Sequence, residues 1–189
     1  MLDSPFRLPR NTPFGLGESV VEWATGLSKL DFLYQKRPST NSSFEFMNYT
    51  LSALNVGYNV EHGDIAQIPE SGATVIVANH PLGAIEGVIL ADLVGNVRQD
   101  VKVLANQMLK RLPEIDELFI GIDVFNGKDS RRTNANAVRE AHRHLADGGL
   151  LVVFPAGEVS TYQKGSNTLS DIEWSQSVAK FIKRSQAVT

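Results

Sequence analysis

His80 and Glu86 stand six positions apart in the run Asn79-His80-Pro81-Leu82-Gly83-Ala84-Ile85-Glu86-Gly87, directly after the apolar segment Thr74-Val75-Ile76-Val77-Ala78. An imidazole exchanges protons near neutral pH, and a carboxylate is the partner that holds it in one tautomer. Pro81 disfavours helical backbone at His80, which places the imidazole at the extended end of a strand. In open α/β sheets ligands bind outside the carboxyl ends of the strands. Gly83 allows a sharp turn, and Glu86 falls in the first turn of the following helix, where an ionised carboxylate is favoured. Six positions is not a helical spacing, so the two side chains meet only if the Pro-Leu-Gly turn folds the chain back. If they meet, Glu86 accepts from one imidazole nitrogen and stabilises the imidazolium, while the other nitrogen takes a proton from a substrate hydroxyl. The plainer alternative is a strand-end histidine beside an exposed glutamate with no shared task. One histidine and one glutamate make an incomplete ligand set, so no metal is expected.

A second run, Phe154-Pro155-Ala156-Gly157-Glu158-Val159-Ser160, follows the apolar segment Leu150-Leu151-Val152-Val153. Pro155 stops sheet pairing, Gly157 lets backbone approach a ligand, and Glu158 and Ser160 add polar groups at the same sheet edge. Taken alone this is a strand-terminating turn. Ser160 lacks the Gly-x-Ser-x-Gly frame of a nucleophile elbow, so covalent catalysis is not expected there. The Gly157 N–H is a candidate donor to an oxyanion or phosphate. Asn79, Gly83, Pro155, Gly157, Glu158 and Ser160 are therefore the candidate substrate-binding residues at this edge. Lys128, Arg131 and Arg132 form the best local anion site, although three cations this close in sequence often mark only a solvated face.

The elements that must position these residues alternate. Apolar runs at 74–78, 101–105, 119–124 and 150–154 have the length and composition of strands, and helical segments follow at 84–94, 107–112, 134–146 and 171–183. In the third of these helices Val138, Ala141 and Leu145 form the expected inner stripe, and Gly148-Gly149 closes it. The alternation predicts an α/β fold with a mostly parallel central sheet flanked by helices. Ahead of it, residues 1–15 carry Pro5, Pro9 and Pro13 and read as an irregular arm. Residues 18–33 put Val20, Val21, Trp23, Leu27 and Leu30 on one helical face, weakened at Gly26, and Phe44, Met47, Leu51 and Leu54 continue a second helix to Gly57. Ser42 or Ser43 is the expected cap of that second helix. We expect residues 1–50 to pack as an arm and amphipathic helices on a core domain of residues 51–189, within one structural domain.

Composition excludes several alternatives. The chain has 189 residues, no cysteine and a formal net charge of −3. A cysteine nucleophile, thiolate metal sites and disulfides are thereby excluded, and the acidic balance argues against a nucleic-acid partner. No window approaches the roughly 18 apolar residues of a membrane span, and Met1-Leu2-Asp3-Ser4-Pro5-Phe6 lacks the blocks of a secretory signal. A cytoplasmic protein, soluble or peripheral on the inner face of the cell membrane, is the expectation.

From Leu51 to Ser160 the chain resembles the glycerolipid acyltransferase family, whose members include lysophosphatidate-type acyltransferases. The likeness is closer to a branch of hemolysin-like and ornithine-lipid-type acyltransferases. It rests on Asn79 to Gly87, on Arg132-Thr133-Asn134 through Ala141, and on Phe154 to Ser160. The usual His-x4-Asp is replaced by His80 with Glu86 one place later, and the usual Phe-Pro-Glu-Gly-Thr-Arg-Ser by Phe-Pro-Ala-Gly-Glu-Val-Ser. An arginine normally found soon after Gly121 is missing from Ile122-Asp123-Val124-Phe125-Asn126. These departures point away from glycerol 3-phosphate or lysophosphatidate and toward a lyso-aminolipid or another hydroxylated lipid. The family normally continues into a further strand where this chain reaches Gln186-Ala187-Val188-Thr189, so a C-terminally shortened chain with an unpaired sheet edge is expected.

The resemblance implies O-acyl transfer from an acyl thioester, acyl carrier protein or coenzyme A, to a lyso-lipid hydroxyl, with His80 and Glu86 catalytic. No cofactor beyond that co-substrate is expected. A membrane surface is a further expected partner. Two other functions stay open on the same residues: a non-catalytic, membrane-active lipid-binding protein, and a thioester or ester hydrolase that uses the pair to activate water.

Overall fold

The structure, a computed structural model, describes residues 4–123, 130–163, 165 and 167–189. The chain divides into two compact units, Met1–Asn41 and Ser42–Thr189.

In the first unit the expected single helix is two, α1 (Leu16–Ala24) and α2 (Leu27–Gln35), separated at Gly26, whose φ of 80° lies outside helical backbone. Glu18, Glu22, Asp31 and Tyr34 are the buried side chains of these helices, while Leu16, Val20 and Trp23 are exposed. The apolar face read from the sequence is thus the outer one. The reason lies in the proline-rich arm, whose backbone donors need acceptors. Glu18 accepts from the N–H groups of Asn11 (2.6 Å) and Thr12 (2.8 Å) and from the Thr12 hydroxyl. Glu22 accepts from Leu8 N–H (2.8 Å) and from Arg10 (3.0 Å), and Asp31 pairs with Arg7 (2.7 Å). The Thr12 hydroxyl and the arm's N–H groups hold the Glu18 carboxyl down at about 2.

The second unit opens with α3 (Ser43–Leu54), capped by Ser42, whose side chain accepts from Glu45 N–H (3.3 Å). Asn55, left-handed at φ 54°, ends the helix before Gly57. There follow β1 (Thr74–Val77), α4 (Ala84–Gly95), β2 (Val101–Asn106), two short 3-10 turns (Gln107–Arg111 and Pro113–Leu118), β3 (Phe119–Ile122), α5 (Ser130–Ala146) and β4 (Leu150–Val153). All four strands are parallel, in the order β1-β4-β2-β3, as the alternating pattern requires. The predicted strand bounds hold to within a residue or two.

The helix expected over 171–183 starts later: a short hairpin, β5 (Thr161–Tyr162) with β6 (Leu169–Ser170), is followed by irregular chain over 171–176 and then by α6 (Ser177–Ser185). On the outer side of β1, Val188 forms a parallel bridge to Thr74 and accepts from Val75 N–H (2.8 Å). The edge expected to be unpaired is covered there.

Right-handed crossovers send α4, which leads outward from β1, and α5, which leads back to β4, to opposite faces of the sheet. On the α5 face Val75, Ile120, Leu151 and Val153 pack with Ala137, Ala141, Leu145, Val178 and Phe181. The inner stripe of α5 therefore starts at Ala137, not at Val138, which is 42% exposed. On the other face α3 lies against α4, and the Phe44 ring fills the space over Gly95, where a Cβ would come within 2.2 Å.

Arg98 ties the amino-terminal edge of the sheet together. Its guanidinium grips Asp100 (2.6 and 2.5 Å) and donates to the carbonyls of Pro69 (3.0 Å), Gly72 (3.0 Å) and Gly148 (2.6 Å). Those carbonyls belong to the segments entering β1 and β4, and Asp100 precedes β2, so a single buried side chain links three entries to the sheet.

Two outcomes follow. Arg98→Met strips these part-buried carbonyls and Asp100 of their shared donor and should cost on the order of 2 kcal/mol, read by urea denaturation. Because the Glu18 carboxyl is depressed from 4.5 to about 2, its tie to the arm is complete above pH 4.5 and is lost as pH falls through about 2. Amide exchange at Asn11 and Thr12 should accelerate over that window beyond the intrinsic pH trend, and Glu18→Gln should remove the transition.

Candidate active site

The sheet order brings the two singled-out runs together. β1 and β4 are neighbours, with Val77 beside Val153, so the segments leaving them emerge side by side at the carboxyl edge. The last ladder bond is Ala78 N–H to Val153 O (3.2 Å). Beyond it the β1 segment turns at Gly83, whose φ of 88° and ψ of −134° belong to a region essentially reserved for glycine. That turn places Glu86 in the first turn of α4 with its carboxylate folded back: Oε1 accepts from Leu82 N–H.

The other carboxylate oxygen faces the imidazole. His80 Nδ1 and Glu86 Oε2 are 3.8 Å apart, with side chains only 19% and 12% exposed. This is beyond hydrogen-bond range, but among the described residues these are the two buried side-chain polar atoms that lack a partner. Buried polar atoms are nearly always satisfied, so two that face one another mark a pair poised to close. The imidazole is stacked on Phe154, centroids 4.5 Å apart and planes inclined by 26°. With Nδ1 turned to Glu86, Nε2 is left for a substrate.

His80 lines a groove of about 630 Å³. Its walls are largely apolar: Ala84 and Gly87 from α4, Val103 and Leu104 from β2, Met108 and Leu109 from the 3-10 turn after β2, and Val153, Phe154 and Val159 from the β4 segment. Gly83, Gly157 and Glu158 also face it, as do Asn106, Phe119 and Ile122. The groove thus runs along the ends of β1, β4 and β2, with the imidazole among its lining groups.

The other candidate residues are placed differently. Gly157, at φ 72°, donates its N–H to Phe154 O (3.0 Å), so that N–H closes a turn and is not a spare oxyanion donor. Pro155 is buried and accepts from Ser175 N–H (2.9 Å). Ser160 is also buried; its N–H donates to His80 O (2.8 Å) and its hydroxyl to Asp171. Asn79 is exposed outside the groove lining. Arg131 and Arg132 are exposed in the first turn of α5, outside the groove lining but at the same carboxyl edge of the sheet. Lys128 lies outside the described residues. Asn134, within the third stretch of the resemblance, uses its amide to give and take with the backbone of Asp123 (2.8 and 3.0 Å), which pins α5 to the end of β3.

Sequence reasoning missed Asp171 and Trp174, assigned there to a helix. Asp171 accepts from His80 N–H (3.2 Å) and from Trp174 Nε1–H (2.9 Å) as well as from Ser160. The Ser160 hydroxyl is the main cause that holds its carboxyl below the ordinary range. No spacing rule links Ser160 to a carboxylate across a hairpin, so no sequence signal was available. Among the described residues no group of three or more His, Cys, Asp or Glu side chains converges as a metal site would require.

Residues 31–189 match the family model described as Acyltransferase. The chain belongs to that family. Similar curated proteins include a lyso-glycine lipid O-acyltransferase of Phocaeicola vulgatus, 31% identical over 143 residues, which span 75% of this chain and 48% of that protein. A lyso-glycine lipid O-acyltransferase of Bacteroides thetaiotaomicron is 30% identical over 116 residues, 61% of this chain and 40% of its own length. This acyltransferase-family chain therefore spans about half the length of the curated relatives it matches. No helix among the described residues is long and apolar enough to cross a membrane.

Proposed function

We propose that this protein transfers a fatty acyl group from an acyl thioester to the hydroxyl of a lyso-lipid, with His80 as general base and Glu86 as its acidic partner. One observation carries this: His80 Nδ1 and Glu86 Oε2 face each other, unpartnered and buried, beside an apolar groove. Family membership sets the reaction class, and the relatives' names favour a lyso-glycine lipid as acceptor.

His80 Nε2 takes the hydroxyl proton as the acceptor oxygen attacks the thioester carbonyl carbon. Glu86 closes on Nδ1 and stabilises the imidazolium, an interaction that strengthens only as charge develops. The tetrahedral oxyanion is met by the first N–H groups of α4, at Gly83 and Ala84, which line the groove and have no intrahelical acceptor. Collapse expels the thiolate, which takes the proton from His80, and leaves an ester and a free thiol. The apolar walls suit the acyl chain. Arg131 and Arg132 are placed to engage a phosphate of coenzyme A or of an acyl carrier protein's prosthetic group. With no serine, threonine, cysteine or lysine among the described groove residues, transfer is direct and both substrates must be bound together.

The exposed apolar side chains of α1 favour a peripheral site on a membrane, where lipid acceptors reside. Leu16, Val20 and Trp23 fall on one helical stripe and are 67%, 64% and 78% exposed. Co-flotation with phosphatidylglycerol-containing vesicles, with a blue shift of tryptophan emission, is the expected outcome, and Trp23→Glu should abolish most of it. Equal flotation of that variant would assign membrane contact elsewhere.

The reaction is tested by thiol release from palmitoyl-coenzyme A or palmitoyl-acyl carrier protein, with and without a lyso-glycine lipid. Release that depends on the acceptor, with ester product by mass spectrometry, is expected. Acceptor-independent release would mean a hydrolase, and no release a lipid-binding protein. His80→Ala should lower kcat/KM at least about 10²-fold, close to 3 kcal/mol of transition-state stabilisation. Near-wild-type turnover by that variant rejects the assignment.

A further inference from the structure

We propose that Asp171 is a positioning residue for the His80 base, acting through a clamp on the His80 backbone that Ser160 completes. This rests on the assignment of His80 as the base.

The sheet does not hold His80. Its last ladder bond is at Ala78, and the next residue, Pro81, has no N–H to offer. What fixes the His80 peptide groups comes from the chain that follows β4. The His80 N–H donates to Asp171 Oδ1 (3.2 Å), and the His80 carbonyl accepts from Ser160 N–H (2.8 Å). Both polar groups of one residue are therefore bound by two residues that are themselves joined, since the Ser160 hydroxyl donates to the same Asp171 oxygen. The second carboxylate oxygen is taken by Trp174 Nε1–H (2.9 Å). The carboxylate thus has three donors and only one low-energy orientation.

The β5–β6 hairpin explains how Asp171 arrives. Thr161 is paired with Ser170, which sets the residue after Ser170 beside the residue before Thr161, that is, Asp171 beside Ser160. Ser160 is 9% exposed, so its side of the clamp is sheltered from competing water, while Trp174 at the outer side is 43% exposed. Asp171 is ionised at neutral pH because the Ser160 hydroxyl and the Trp174 and His80 N–H groups favour its charged form. Its acceptors are therefore available wherever the base works.

The lever is short. His80 Nδ1 needs to approach Glu86 Oε2 from 3.8 Å by roughly 1 Å to form a hydrogen bond. A displacement of that size at a reacting group is worth about 10²-fold in rate. The ring is stacked on Phe154 and its peptide is held by Asp171 and Ser160, so the backbone cannot drift and the gap is left to small side-chain rotations of His80 and Glu86.

The test uses the whole chain in five forms: wild type, Asp171→Ala, Asp171→Asn, His80→Gln and the double variant Asp171→Ala with His80→Gln. Thermal melts establish that each is folded. Ring-labelled histidine spectra, with the His80 signals assigned by their absence from His80→Gln, give a readout independent of turnover. Asp171→Ala should shift or broaden the His80 ring signals while those of His62, His142 and His144 stay in place. Asp171→Asn, which keeps an acceptor for the His80 N–H, should restore much of the wild-type spectrum. With palmitoyl-coenzyme A and a lyso-glycine lipid, Asp171→Ala should lower kcat about 10- to 100-fold with little change in either KM. It should cost nothing further in the His80→Gln background. His80 signals unmoved by Asp171→Ala, or a full additive loss in that double variant, would overturn the positioning role. His80→Gln with normal turnover would instead overturn the catalytic assignment, while the His80 ring signals would still decide whether the clamp holds the imidazole.

Discussion

Val77 lies beside Val153 in the parallel pairing of β1 and β4, and the groove depends on that register. The strand order inserts β4 between β1 and β2, although β4 is the last of the four in the chain. The His80 turn and the Phe154–Ser160 turn thereby leave the sheet at adjacent positions, and the end of β2 supplies the third wall. A one-residue slip would exchange the two faces of a strand and put Leu151 and Val153 where Leu150 and Val152 now pack. The cost of such a slip is volume: Val152 would stand where Leu151 packs and Phe154 where Val153 packs, in a core whose four strand residues are 4% exposed or less. The same core that stabilises the sheet therefore sets the distance between the two halves of the site.

The candidate site and the Arg98 network occupy opposite ends of the sheet. At the amino-terminal edge, the buried Arg98 satisfies its donors on Asp100 and on three backbone carbonyls. At the carboxyl edge, His80 Nδ1 and Glu86 Oε2 are left unmatched at 3.8 Å. A buried polar atom without a partner costs on the order of 1–3 kcal/mol, and the surrounding structure must sustain that cost. It does so by over-determining the residues around the gap: Gly83 fixes the turn, Leu82 N–H holds one Glu86 oxygen, Phe154 backs the imidazole, and Ser160 with Asp171 binds the His80 peptide. The atoms left free are those that a proton transfer would use.

The first unit follows a different rule. Its helices bury acids and expose apolar side chains, because a proline-rich arm presents N–H groups that only carboxylates nearby can accept. Hydrophobic periodicity put Val20 and Trp23 on one stripe but ran it across the break at Gly26 and could not say which side would be covered. Side-chain pattern alone does not record where unpaired backbone donors from another segment will lie.

The sequence by itself determined the strands, the parallel class of the sheet, and His80 and Glu86 as the residues to watch, because these follow from local periods and from turn chemistry at Pro81 and Gly83. It could not place the helix after β4: residues 171–183 have helical composition, yet Asp171 is drawn into hydrogen bonds with Ser160, His80 and Trp174, and the helix starts only at Ser177. Nor could it tell that the Gly157 N–H would be spent on Phe154 O, or that Val138 would face outward in place of Ala137. Only the tertiary structure decided these, since each depends on which groups from distant segments compete for the same hydrogen bond or the same buried volume.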